Sequence, residues 1–449
     1  MKIREILKIT GGKLISGVLD KDVDLARVST DSRSIKKGEF FLALSGPNFC
    51  GTDFAMDAFR KGAEGAIVER PIPIPDKNLN VIQVKDSRAS LQAIAACHRK
   101  RFAIPMVCVT GSNGKTTVKD MTAAVLSAKY RVLKNEGTKN NHIGVPQTLL
   151  KLSADHDACV LEIGTNHRGE IETLSEIAKP DIAVITNVGP SHLEFLESLE
   201  GVYEEKRSIL NSLNDYGFAV INGDDEFLSR IDGPRVLRYG FKPSNDLVAE
   251  MVQSTDKNLK FRLNGRGVFE LNMLGVHNVY NAMAAIAVAV TLGVGCKAIE
   301  KILAGHKPSS MRLDRLIING VEIINDSYNS NPLSMQAALQ AIRNYPARSK
   351  WVVSGDMLEL GSDAARFHEM TGRLVAGCAV NGLLTFGELS KHTISGAIKC
   401  GMNKNSIWHC SSHEEIASLL KKLVKEGDLV LVKGSRSMRM ENVIEKFRG

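Results

Sequence analysis

The chain opens with short apolar runs set between polar turns. "EFFLALSG" and "EGAIVER" read as strands, and "FAMDAFRKGA" between them reads as a helix. "ERPIPIPDKNLNVIQVKD" is proline-rich and then strand-like, an exposed loop that feeds a strand. "SRASLQAIAACHRKRF" has helical spacing and begins at a serine suited to capping. Pro105 follows, and the pattern changes. From residue 106, apolar strands buried on both faces alternate with helices: "MVCVTG", "DACVLEIG", "DIAVITNVG" and "FAVINGDD" are strands, and "KTTVKDMTAAVLSAKY" is a helix. A strand-like region around 260–274 leads into the helix "HNVYNAMAAIAVAVTLG". Near Arg312 a third α/β unit begins, with "VEIINDSY", "KWVVSGDM", "GLLTFG" and "DLVLVKG" as its strands. The pattern predicts an α/β chain of three domains, 1–104, 105–310 and 311–449, with a doubly wound parallel sheet in the middle one.

Length and composition leave this picture intact. A chain of 449 residues suits roughly two to four domains, and 43% hydrophobic with 24% charged residues is ordinary for a globular protein. "MKIREILKITGG" has no continuous apolar stretch, so no signal peptide is expected, and no run approaches the ~18 apolar residues of a membrane span. Eight cysteines are scattered without a C-x-x-C pair. That spacing excludes a zinc cluster and fits a reducing cytoplasm. The net charge is +8, yet lysines and arginines are dispersed and aromatics are 5%. No basic, aromatic-interleaved stripe for nucleic acid emerges; attraction toward anionic small substrates is the simpler reading.

"VTGSNGKTT" carries the first chemistry. The common phosphate-loop pattern is G-x-x-x-x-G-K-[ST], and its first glycine would fall where Val109 stands. Strand, glycine loop and helix nevertheless follow one another. Backbone N–H groups from Ser112 to Thr116 are expected to surround phosphate oxygens, Lys115 to neutralise β/γ charge, and Thr116 to ligate Mg²⁺. Glu162 ends the strand of "VLEIGTNHRGEI", on the face where doubly wound sheets bind ligands. A carboxylate there suits Mg²⁺ beside a nucleotide. His192 follows another strand end. Lys206, in "GVYEEKRSIL", is most simply a salt-bridged surface residue of an acidic helix. "NEGTKNNHIGVPQTLL", with Asn140 and Asn141, serves either a phosphate or a plain Asx turn.

Taken together, nine stretches in order over about residues 30–441 resemble the ATP-dependent Mur ligases, which build the peptide stem of cell-wall precursors. They are "TDSRSIKKGEFFLALSG", "GSNGKTT", "NNHIGVPQTLL", "EIGTNHRGEI", "ITNVGPSHLEF", "GVHNVYNAMAA", "NDSYNSNPLSMQAAL", "GDMLELG" and "VLVKGSRSMRME". The family loop has no glycine at the place of Val109. The resemblance implies a smaller N-terminal α/β domain for a UDP-sugar, a P-loop ATPase-like central domain, and a Rossmann-like C-terminal domain for the incoming amine. It also implies a monomeric ligase of the cytoplasm that joins D-Ala-D-Ala to UDP-MurNAc-tripeptide through an acyl phosphate.

By the same resemblance, Gly111, Ser112, Asn113, Gly114, Lys115, Thr116 and Thr117 cradle ATP. His277, Asn278 and Asn281 lie on its adenine side, Arg312 reaches its phosphates, and Asp326 its ribose. Thr116, Glu162, His192 and a carbamylated Lys206 serve the Mg²⁺ region, with Lys115, His192 and Lys206 catalytic. Ser32 and Arg33 face the UDP-sugar. Asn140, Asn141, Asn166, Tyr328, Asn329 and Asn331 are expected around the substrates. The segment "FCGTDF" departs from the frequent D-G-H-D-F: Cys50 and Thr52 replace an Asp and a His.

Overall fold

Apolar residues at every position of "MVCV" leave the strand Met106–Thr110 no face for water, and in the computed structural model it lies buried inside a nine-stranded sheet. The structure describes residues 1–255 and 258–449. Strand Met106–Thr110 pairs in parallel with Ala158–Glu162 on one side and Ile182–Ile185 on the other. Beyond Ile182–Ile185 come Phe218–Asn222, Val236–Gly240 and Leu247–Ser254, all parallel. The strand-like region around 260–274 is an antiparallel extension, Leu259–Leu263 and Arg266–Leu271. The α/β alternation fixed the parallel part; the hairpin is added at the edge, where no crossover helix is needed.

Two further sheets flank this one. The N-terminal sheet has five strands, with Asn80–Gln83, Gly65–Val68, Phe40–Leu42 and Val28–Ser29 parallel and Lys13–Ser16 antiparallel at one edge. The C-terminal sheet has six. Besides the strands read from the pattern, it contains Asp314–Ile318, antiparallel at one edge, and Ile407–Cys410 at the other. Their alternating or short patterns carry little signal. The fold is thus three α/β units with a doubly wound central one.

Local chemistry sets the helix starts. The helix Ser87–Arg99 is capped not by its serine but by Asp86, whose carboxylate accepts the Ala89 N–H at 2.8 Å. The alanine-rich helix His277–Thr291 packs with Lys115–Leu126 in one core beneath the central sheet. Register then places the chemistry. Val109 pairs with Glu162 and Thr110 with Ile185, so the glycine loop, Glu162 and the segment after Ile185 share one sheet mouth. In the C-terminal sheet Asp326 and Lys433 are register partners at their strand ends, facing that mouth.

Candidate active site

Gly111 and Gly114 shape the loop for different reasons. A Cβ on Gly111, at φ +145°, would overlap Thr186 Oγ1. Gly114 has φ +82°, and a Cβ there would meet Asn281 Oδ1 at 2.4 Å. Asn281 does not yield, because its amide donates to Asn278 Oδ1 at 2.9 Å in the buried start of the helix. Asn278 and Asn281, three apart, thus share one helix face, and their bond explains the second glycine. Gly114→Ala should lower the thermal midpoint by several degrees, from about 1–2 kcal/mol of left-handed strain plus the clash. It should also weaken nucleotide binding at least tenfold, read by calorimetric titration with ADP; unchanged affinity would show that this contact does not shape the loop.

The loop is stapled to the segment after Ile185. Asn113 donates its backbone N–H to Asn187 Oδ1 at 2.9 Å, and Ser112 Oγ accepts from the Gly189 N–H at 2.9 Å. Lys115 Nζ folds back on its own loop, donating to the carbonyls of Gly111 at 2.8 Å and Ser112 at 3.4 Å. Burial lowers the Lys115 pKa, against the pull of the Glu162 charge. Backbone donors at a helix start with one flexible ammonium make an anion cradle.

Glu162 is 1% exposed. Its carboxylate accepts from Thr116 Oγ1 and from the Asn140 amide, both at 2.7 Å, and among the described residues from no cation. A buried carboxylate beside a hydroxyl, with only neutral hydrogen-bond donors, is a hard-oxygen pair suited to Mg²⁺. Among the described residues no group of three His, Cys, Asp or Glu could cage a metal by itself.

The C-terminal unit closes over this mouth. Arg312 donates from Nη2 to Thr116 Oγ1 at 2.9 Å and stacks on Tyr328 at 4.2 Å. Its flanking residues Met311 and Leu313 both hold positive φ, at +60° and +50°, so the arginine is presented by a strained turn. Asn331 caps the helix Pro332–Arg343 and exchanges amide bonds with Asn113 at 2.9 and 3.2 Å. Asp326 is fixed by Lys433 Nζ at 2.6 Å. Together the two units enclose a cavity of about 570 Å³, lined among others by Lys115, Thr116, Glu162, His192, Arg312 and Asp326. Thr117, His277, Asn278, Asn281, Asn140, Asn166, Tyr328 and Asn329 line it too. Burial pushes the His277 imidazole down to about 4.

Lys206 corrects the salt-bridge expectation. It is 1% exposed and makes no ion pair among the described residues. Its helix turns it inward, and no Asp or Glu stands three or four positions from it. Glu205 caps the helix Glu170–Ala178, accepting the Gly169 and Ile171 N–H groups at 2.6 and 2.9 Å. Desolvation, and then the Lys115 charge, bring the Lys206 pKa down to about 7.

Some expected residues lie elsewhere. Arg33 is exposed and grips Asp31 with two bonds of 2.9 Å; Ser32 and Arg33 do not line the cavity. Asn141 also stays out, its side chain accepting the Gly144 N–H at 3.0 Å as an Asx turn. Thr52 is buried and accepts the Glu69 N–H at 3.2 Å, so this segment holds the N-terminal fold. Conversely, pattern reading passed over Asn135, which brackets the Glu162 backbone at 2.9 and 3.0 Å, and the buried Lys119, which donates to the Asn135 carbonyl at 2.9 Å. It also passed over Lys433 and Glu359. An Asn or Lys inside a polar loop or helix gives no periodic signal.

Family models match most of the chain: the Mur ligase family catalytic domain over residues 24–99, the Mur ligase middle domain over 109–289 and the Mur ligase glutamate ligase domain over 311–436. UDP-N-acetylmuramoyl-tripeptide–D-alanyl-D-alanine ligase of Bacillus subtilis is 36% identical over 446 residues, covering 99% of this chain and 97% of that one. The Escherichia coli enzyme of the same name is 36% identical over 438 residues, 95% and 94% of the two chains. Among solved structures, MurF from Acinetobacter baumannii superposes with a TM-score of 0.90 at 30% identity, covering 100% of this chain and 98% of that one. MurF ligase from Thermotoga maritima in complex with ADP gives 0.84 at 30% identity, over 95% and 98%. With three domain models in order and relatives this similar along its whole length, the chain belongs to the Mur ligase family.

Proposed function

We propose that this chain joins D-Ala-D-Ala to UDP-MurNAc-tripeptide, using ATP and releasing ADP and phosphate, as the names of its full-length relatives suggest. The observation that carries the reaction class is the single cavity in which Lys115, Thr116 and Glu162 of one unit meet Arg312 and Asp326 of another. Polyphosphate would draw Lys115 off the Gly111 and Ser112 carbonyls onto the β/γ oxygens, where Arg312 joins it. Thr116 and Glu162 would hold Mg²⁺, with His192 and Lys206 on the side of a second ion; bound there, Mg²⁺ neutralises phosphoryl charge. Asp326 takes the ribose hydroxyls, and His277, Asn278 and Asn281 flank the base. The tripeptide carboxylate attacks the γ-phosphorus and ADP leaves. The D-Ala-D-Ala amine then attacks the acyl carbon, and phosphate leaves with the C–O bond. An acyl phosphate hydrolyses in water, so a site completed only by the C-terminal unit protects it.

Ser32 and Arg33, outside the cavity, serve the UDP-sugar in the N-terminal unit, and Asn140, Asn166, Tyr328, Asn329 and Asn331 face the tripeptide and amine. The proposed working unit is a monomer in the cytoplasm, with its domains divided near 104 and 310. The test is ADP release with UDP-MurNAc-tripeptide and a panel of amines. D-Ala-D-Ala should support turnover, while free meso-diaminopimelate, lysine and glutamate should not. Turnover with one of the amino acids instead would assign a sibling ligase activity.

A further inference from the structure

His192 and Glu359 meet across the boundary between the central and C-terminal units. His192 Nδ1 lies 2.5 Å from a Glu359 carboxylate oxygen. The two residues are 167 positions apart, and Glu359 stands in the loop after the strand Lys350–Gly355. Both hold left-handed backbone, φ +54° and +61°, which non-glycine residues rarely adopt. The same loops also touch through the Glu194 N–H and the Glu359 carbonyl at 3.3 Å. Meanwhile the His192 ring lines the cavity.

We propose that Glu359 is a positioning residue that sets His192 as a ligand on the metal side of the site when the C-terminal unit closes. The inference rests on the metal-side reading of His192. An imidazole whose Nδ1–H donates to a carboxylate is held in one tautomer and one orientation, with the Nε2 lone pair left for a metal. Here the carboxylate comes from the C-terminal unit, so the ligand is completed only where the two units meet. By linkage, metal binding and closure then favour each other. A bare interdomain latch would not require that the tied histidine also face the phosphate cavity.

The experiment uses full-length protein in two measurements. Free Mn²⁺ is followed by EPR during titration of the complex with a non-hydrolysable ATP analogue, and ADP binding is measured in EDTA. Glu359→Ala should weaken the weaker Mn²⁺ about 10–100-fold, and Glu359→Gln, which keeps an acceptor without the charge, should fall between. ADP affinity in EDTA should stay within about twofold of the parent. His192→Ala should lose the same Mn²⁺ affinity, and adding Glu359→Ala to it should cost nothing more. Unchanged Mn²⁺ affinity in Glu359→Ala, additive losses in the double variant, or an equal loss of ADP affinity in EDTA would each overturn the proposal. If His192→Ala itself leaves Mn²⁺ binding intact, the metal role of His192 falls first, and that result is distinguishable from failure at Glu359 alone.

Discussion

Alanine in place of Lys115 should cut acceptor-dependent phosphate release by roughly 10³-fold or more, with the fold intact. This ammonium donates to two loop carbonyls, those of Gly111 and Ser112. Those bonds keep the loop in shape but do no chemistry. Their value lies in what replaces them: a γ-phosphoryl group passing between two oxygens needs a mobile cation in a site with little water. Arg312 reaches Thr116 from the other unit and cannot stand in, because its guanidinium is held on the Thr116 hydroxyl and braced by Tyr328. Lys115→Met separates charge from bulk, and it should be as inactive as alanine. Single-turnover ADP formation locates the defect: the loss should appear before acyl transfer, with no ADP burst. Near-normal turnover in either variant would return "GSNGKTT" to an ordinary turn before a helix.

How far the sequence alone reached depended on the range of the interactions. Three α/β units, the glycine loop and the strand-end Glu162 follow from local patterns: apolar runs, turn residues and their order along the chain. Pairing of Asn278 with Asn281 was equally accessible, because a spacing of three on a helix is a distance in space. Contacts between units left no such trace. Arg312 to Thr116 spans 196 positions and Asn331 to Asn113 spans 218, and no periodicity encodes either. For Arg312, Asn331 and Asp326 the family resemblance supplied the residue and the structure its surroundings. Glu359 belonged to a recognised stretch, yet nothing in "GDMLELG" says that its second acidic group crosses to a histidine. The surface-salt-bridge reading of Lys206 failed for a physical reason too: its helix turns it to the buried side, and no Asp or Glu stands three or four positions away to pair with it.

That burial makes Lys206 the second site of large effect. Its amine is buried, repelled by Lys115, and titrates near 7 instead of the ordinary 10.5. A neutral fraction is then accessible at neutral pH, and only the neutral amine reacts with CO₂. A carbamate would turn a repelled cation into an anion on the metal side. Lys206→Ala should therefore lower turnover roughly 10²–10³-fold. Acetate or formate should restore part of that loss, because alanine leaves room for a carboxylate. Lys206→Met, whose stem fills the space, should not be rescued.

Degassed, CO₂-depleted buffer should slow the parent enzyme, and bicarbonate should recover it. Stability should move the other way. Since the folded pKa lies below the unfolded one, the unfolded chain binds the extra proton between about 7 and 10.5. The site's contribution is complete above the unfolded value and is lost as pH falls through 7. At pH 6 the parent buries a charged amine, so Lys206→Met should melt no lower than the parent there while remaining inactive. A variant that loses both activity and melting temperature at pH 6 would mark Lys206 as a packing residue, and one that keeps full activity would remove it from the reaction.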